Sequence, residues 1–282
     1  VRVLVSSDRI GRLGPAEASD VIAAAFHTRG AAVAVAPVAT GGDDLAEAIA
    51  RFAPGARFAR VTDVSDLPRL VASGVDHIDV TGMPTPDLAA LEELPLVEVP
   101  NPPVVVVASE HAQAPLTGLH GAVAALGREG GRDLGEVVAQ ETAAARWLER
   151  LGLPDAPGFG AHGGLGAWLA RCGISTDTGL GICIRGYGLP DLMRRADLVL
   201  TGTDTLDFHH RGGEVVRGIT RLAGEALSPV VVVSGRNFVS ARELRLSGIE
   251  EAHAVRQGGD ETPVAPEELS ALAERVAATW RW

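Results

Sequence analysis

The chemically capable residues of this sequence gather after short apolar runs. Asp8, Arg9 and Arg12 follow Val3-Leu4-Val5, and Gly41-Gly42-Asp43-Asp44 follows the run from Ala31 to Val38. Thr201-Gly202-Thr203-Asp204-Thr205-Leu206-Asp207 follows Leu198-Val199-Leu200. Polar loops at the carboxyl ends of parallel strands are where open α/β sheets bind ligands. Asp207 can take a proton from a substrate hydroxyl or hold a magnesium ion, and capping of the next segment is an equally common use of such a residue. Asp8 is the second candidate catalytic carboxylate. Arg9, Arg12, Gly41, Gly42 and Asp43 are candidates for substrate binding, against surface charge for each charged residue taken singly. Strand-end placement predicts that Asp8, Asp43, Gly163 and Asp207 line one cleft.

A second group is the block Gly158-Phe159-Gly160-Ala161-His162-Gly163, extended by Gly164 and Gly166. It matches G-x-G-x-x-G, but Pro154-Asp155-Ala156-Pro157 precedes it where the dinucleotide fingerprint requires a strand. What survives is a glycine-rich loop opening a helix at Leu165. There, backbone N–H groups at Gly160, Gly163, Gly164 and Gly166 can face an anion, with a plain tight turn as the alternative, and Gly202 is a further candidate for cofactor binding. His162 is a further candidate for substrate binding. His209 and His210 lie just beyond Asp207, but no third ligand is apparent, so no metal site is assigned. Two cysteines, Cys172 and Cys183, are too few for a disulfide framework and read as buried thiols.

The elements that must position these residues follow from hydrophobic periodicity. Strands are expected at Val3–Val5, Ala31–Val38, His77–Val80, Val104–Ala108, near Ile182–Ile184, and at Leu198–Thr201, Val230–Val233 and His253–Val255. Helices are expected at Pro15–Phe26, through Leu45, Ala48 and Ile49, and at Leu134–Leu151, Leu165–Arg171, Pro190–Arg195, Val215–Ala226, Ser240–Ser247 and Pro266–Trp280. This alternation predicts an α/β protein of two domains. A doubly wound, mainly parallel, Rossmann-like domain is formed by residues 1–60 and 158–282, and a smaller α/β domain, residues 61–157, is inserted into it.

The chain has 282 residues, long enough for two cores. All 25 basic residues are arginine, which removes Schiff-base and phosphate-binding lysine mechanisms. The formal net charge of −11 argues against broad nucleic-acid or anionic-membrane surfaces. With no long apolar run and a strand at the start, a cytoplasmic location is expected.

Several of these blocks resemble, in order and spacing, those of type I glycerate kinases. They are the Asp8 loop, Ala36-Pro37-Val38-Ala39-Thr40-Gly41-Gly42-Asp43, the glycine block through Ala167, and Ala196-Asp197-Leu198-Val199-Leu200-Thr201-Gly202 with Leu206-Asp207. Ile78-Asp79-Val80-Thr81-Gly82-Met83 and Pro115-Leu116-Thr117-Gly118 are weaker matches. The resemblance implies two α/β domains, Mg²⁺ and ATP as cofactors, and phosphoryl transfer to glycerate or a related small hydroxy acid. The chain departs from the family where Arg9-Ile10-Gly11-Arg12 stands for a lysine-containing loop and Glu214 for a lysine. Two glycine-rich family loops have no counterpart between Arg51 and Val75. These departures leave open a non-catalytic, pseudokinase-like protein that binds a small acid, a nucleotide or a protein partner. Lyase or hydrolase chemistry through Asp207, His162 or His209 is a third reading.

Overall fold

The structure is a computed structural model that describes residues 1–110, 112–210, 212–256 and 260–280. The chain divides into two compact units, Val1–Pro54 with Leu180 onward, and Gly55–Gly179.

The first unit is built on β1 (Arg2–Val5), α1 (Pro15–Thr28), β2 (Ala32–Val35) and α2 (Gly42–Phe52). The second comprises β3 (Phe58–Arg60), α3 (Leu67–Val71), β4 (His77–Asp79), α4 (Leu88–Glu93), β5 (Val104–Val106), α5 (Ala122–Glu129), α6 (Leu134–Leu151), α7 (Leu165–Arg171) and β6 (Thr176–Asp177). The chain then completes the first with α8 (Gly179–Tyr187), α9 (Leu189–Arg195), β7 (Leu198–Leu206), α10 (Gly213–Glu225), β8 (Val230–Asn237), α11 (Ala241–Leu246), β9 (Glu251–Arg256) and α12 (Pro266–Thr279).

Each unit has its own parallel sheet, in the order β2-β1-β7-β8-β9 and β3-β4-β5-β6. The strands of the first sheet are near-continuous Val/Leu runs because helices cover both faces, the usual condition of parallel sheets. Val3, Val5, Leu200, Val231 and Val233 pack with Ile22 and Phe26 of α1 and with Leu269 and Val276 of α12. Buried residues of α10, among them Val215, Val216 and Ile219, belong to a helix packed on β7 and β8.

The second unit has a separate core containing Ile78, Val105, Leu116, Trp147, Leu165 and Trp168. Helix α6 spans the predicted Leu134–Leu151, opened by a capping box between Asp133 and Glu136 and closed by left-handed Gly152. Asp133→Ala is expected to lower stability by about 1 kcal/mol, the usual worth of such a cap, measured by urea denaturation.

Three expectations are corrected. Residues 158–179 belong to the second unit, not to a first domain resuming at Gly158, because α7 buries Leu165 and Trp168 in that unit's core and β6 pairs with β5. Ile182–Ile184 lies in helix α8 and not in a strand. A three-residue apolar run does not distinguish the two, and here the run lies in a nine-residue helix. Finally, Thr201–Leu206 is strand and not a strand-end loop. β7 continues in register with β8 to Leu206↔Asn237, and the alternation of Thr201, Thr203 and Thr205 suits a strand.

Candidate functional site

β1 is shorter than its neighbour β7, and the chain that leaves it folds across the exposed part of β7. The Ser6 amide donates to the Leu200 carbonyl at 2.8 Å and the Asp8 amide to the Gly202 carbonyl at 3.2 Å. Gly202 makes this approach possible, since a Cβ there would lie 2.4 Å from Ser7 Oγ and 2.7 Å from Ile10 Cδ1. Its visible role is therefore close packing of the loop that carries Asp8. The Ser6 hydroxyl donates to the Ala36 carbonyl at 2.8 Å, tying the same loop to the end of β2.

Asp8 is half-buried, and one carboxylate oxygen accepts the Arg9 amide at 2.8 Å. Burial pushes its pKa up to about 6, opposed by that hydrogen bond and assisted by the negative charges of Asp44 and Glu214. Asp44 comes from the first turn of α2 and receives Arg9 in a two-pronged contact, Nε to Oδ2 at 2.9 Å and a terminal nitrogen to Oδ1 at 2.6 Å. Arg9 is thus held by a carboxylate of its own chain. Gly41 and Gly42 open α2, with Gly42 left-handed at φ 70°, and Asp43 lies exposed in that helix's first turn. Arg12 is exposed, with no side-chain ion pair among the described residues.

The strand extension decides which β7 carboxylate joins this group. Asp204 Oδ1 accepts the Gly11 amide at 2.9 Å, and Arg236 from β8 lies 3.4 Å from its other oxygen. Arg9, Gly11, Asp204, Arg236 and Arg256 line a small cavity of about 230 Å³. Arg256 is paired with Glu268. Asp207 lies beyond the end of β7. The four residue steps from Gly202 to Leu206 carry the strand roughly 13 Å past the Asp8 contact, at about 3.3 Å per residue. Asp207 instead accepts the His210 amide at 2.5 Å and faces its Nδ1 at 3.1 Å, closing a turn. His209 and His210 are exposed, and no metal-binding cluster of three groups occurs among the described residues.

The glycine block lies in the second unit and is filled by contacts within that unit. A Cβ on Gly166 would meet the Gly158 carbonyl oxygen at 2.0 Å, and one on Gly160 the Pro115 oxygen at 2.4 Å. Gly163 faces Thr85 and Pro86, and Gly164, at φ 113°, faces Leu116 and Leu91. The Gly158 and Gly160 amides both donate to the Ala114 carbonyl, and the Leu165 amide to carbonyls one turn back. These glycines permit tight packing, and the amides named here are already satisfied. His162 adopts a left-handed φ of 49° beside the Met83–Pro84 backbone, and burial holds its pKa below the usual imidazole value.

Asp8, Asp43, Asp44 and Asp204 are in the first unit and Gly160–Gly166 in the second. The sequence places Asp44 among the strand-end charges and Asp204 in the run after Leu200 without giving either a role; their pairing with Arg9 and Gly11, and the nearness of Glu214 to Asp8, come from the structure. A strand period of two through Thr201, Thr203 and Thr205 was the signal for the β7 extension that exposes Asp204. Cys183 is buried beneath this region, and burial pushes its thiol up to about 11, so it favours the protonated thiol. In a native-state titration with a thiol reagent, Cys172 is expected to react first and Cys183 only on unfolding.

Comparison with known proteins places the chain in a family. The family model described as the glycerate kinase family matches residues 69–281. An uncharacterized protein of Mycobacterium bovis is 29% identical over 185 residues, covering 62% of this chain and 49% of that protein. Glycerate 2-kinase of Escherichia coli is 28% identical over 148 residues, covering 50% and 39%. The chain thus spans about half, or less, of the length of these curated relatives. The crystal structure of a Salmonella typhimurium LT2 protein described as a glycerate kinase 2 superposes with a TM-score of 0.67 at 21% identity, covering 99% of this chain and 98% of that one, and supports the fold. Among the described residues no helix is long and apolar enough to cross a membrane. On the family match across three-quarters of its length, this chain belongs to the glycerate kinase family.

Proposed function

We propose that the chain transfers the γ-phosphoryl group of ATP to the hydroxyl of a small hydroxy acid, glycerate being the acceptor its family name carries. The observation that supports this reading is Asp8. It is a half-buried carboxyl just past the carboxyl end of β1, a strand paired on both sides, with a pKa of about 6 that leaves it mostly ionised at pH 7 yet able to accept a proton. In the reaction the acceptor oxygen bonds to phosphorus, the bond to the ADP oxygen breaks, and the hydroxyl proton passes to Asp8. Magnesium fits the donor set in one form only. No three-residue cage exists among the described residues, and the ion takes one or two carboxylates with the rest from phosphate and water. Asp43, in the first turn of α2, would hold it, Asp44 being taken by Arg9, and when bound it would neutralise charge on the phosphates. Arg12 is exposed and has no side-chain ion pair among the described residues, unlike Arg9, and would bind the acid or a phosphate oxygen.

A second reading, a binding protein without catalysis, is favoured by the cations. The chain has no lysine, and Arg9, Arg236 and Arg256 are committed to Asp44, Asp204 and Glu268. The two readings separate on incubation with Mg-ATP and D-glycerate, with phosphoglycerate followed by mass spectrometry and melting curves recorded with Mg-ATP, Mg-ADP and glycerate. Phosphoglycerate formation together with a rise in Tm is expected from ligand binding to the native state. No product, with a Tm shift by glycerate alone, would replace the kinase reading by the second.

A further inference from the structure

Side chains on a strand alternate between its faces, so Gly202 and Asp204 of β7 share one face, and the loop that leaves β1 meets both. Gly202 admits the loop at Ser7 and Ile10, and one pleat further on Asp204 Oδ1 accepts the Gly11 amide at 2.9 Å. Room for the carboxylate is made on β8, where a Cβ on Gly235 would lie 2.6 Å from the Asp204 carbonyl oxygen and 2.9 Å from Oδ1. Gly11 is itself left-handed at φ 58°, and a Cβ there would meet the Val264 backbone nitrogen at 2.6 Å. Glycines of the loop, β7 and β8 thus converge on one hydrogen bond. Arg236 of β8 closes the group, donating to Thr205 Oγ1 at 2.9 Å and lying 3.4 Å from Asp204 Oδ2.

The loop so held is the one that carries Asp8. The Asp8 amide rests on the Gly202 carbonyl and the Arg9 guanidinium on Asp44, while Asp204 grips the loop backbone three residues past Asp8. The groups that act on the Asp8 carboxylate are Arg9 of its own loop, Asp44 of α2 and Glu214 of α10, with Cys183 of α8 facing it as well, and Asp204 is not among them. Its hold on Asp8 is therefore one of position and not of charge. We infer that Asp204 is a positioning residue for phosphoryl transfer, fixing the loop that presents Asp8 to the acceptor hydroxyl. The inference rests on the phosphotransfer reading for the role of Asp8, but not for the geometry of the loop. A misplacement of about 1 Å at a reacting group costs on the order of 10²-fold in rate, so this one contact matters to turnover beyond its share of stability.

The test combines substitutions of Asp204 with Asp8→Asn in the full chain. Asp204→Ala removes the acceptor, Asp204→Asn keeps an acceptor in place without the charge, and Asp204→Glu keeps the charge but displaces the acceptor. One readout is the melting lead that Asp8→Asn gains at pH 7.5 over pH 4, which needs no activity, and the other is the pH profile of kcat/KM. With Asp204→Ala the loop relaxes toward water, so the lead should fall by more than half and the acid limb should move from about 6 toward 3.8. In the same variant kcat should drop about tenfold. Asp204→Glu should change all of these in the same direction, which keeps the inference testable if the Ala variant misfolds. Asp204→Asn should restore the lead and the limb. A lead and limb unmoved in both Ala and Glu overturn the inference, as does their equal loss in Asn, which assigns the effect to charge, and as does a wild type that shows no lead. A lead lost in Ala and Glu but kept in Asn, with no phosphoglycerate from wild type, upholds the positioning and removes the kinase reading. Transfer by wild type with an acid limb unmoved in Ala does the reverse.

Discussion

Asp8→Asn is expected to reduce kcat for phosphoryl transfer by about 10²–10⁴-fold while making the protein more stable at neutral pH. The activity arm follows from loss of the proton acceptor, and wild-type kcat/KM should fall as the pH drops below about 6, where Asp8 takes up its proton. The stability arm follows from the same environment with opposite effect. The Asp8 pKa is raised from 3.8 to about 6, so between these values the native protein binds more protons than the unfolded chain. Stability therefore falls as pH rises through that window, and the full cost is present above it. At ~1.4 kcal/mol per pKa unit, reduced for partial solvent screening, Asn should gain about 1–3 kcal/mol at pH 7.5. Asn retains an oxygen to accept the Arg9 amide, so the native hydrogen bond survives. In thermal melts the variant should lead wild type by several degrees at pH 7.5 and by nothing at pH 4. A lead that does not change with pH, or a variant less stable than wild type at pH 7.5, would remove Asp8 as a strained carboxylate. A gain in stability on removing a catalytic group is a recurrent mark of functional sites.

Gly166→Ala is expected to destabilise the second unit by more than about 3 kcal/mol. The added methyl would sit 2.0 Å from the Gly158 carbonyl oxygen and 3.2 Å from Ala161 Cβ. The first obstacle is backbone, which no rotamer change relieves, so α7 must shift out of a core that holds Leu165 and Trp168. The contrasting substitution is Gly224→Ala, an exposed position late in α10 with nothing within 4 Å of the added atom. It should stabilise by about 0.5–1 kcal/mol through helix propensity and a less flexible unfolded chain. Tryptophan fluorescence during urea unfolding reads the first change, because Trp147 and Trp168 both lie in the second core. If Gly166→Ala unfolds like wild type and only ligand binding changes, the glycine block is a ligand loop after all and its packing role is secondary.

The two variants also separate the kinds of information that the residues carry. Legible in the sequence were the α/β alternation, the span of α6, the strand at β1 with Asp8 beyond it, and the resemblance to glycerate kinases. Each depends on local patterns, namely apolar period, caps, glycine placement and residue order, and these survive without knowledge of partners. The absence of lysine was likewise complete information, since no fold can restore an absent side chain. Only the tertiary structure decided that β7 runs on to Leu206, because that depends on the eight-residue β8 pairing with it in register as far as Asn237. This pairing brings Asp204 to the Asp8 loop and carries Asp207 away from it. It likewise assigned the glycine block to the second core, by burying α7 and pairing β6 with β5, and it locked Arg9 onto Asp44 across 35 residues. Strand pairing, burial and charge partnership are contacts between residues distant in sequence, and periodicity within one segment contains no term for them.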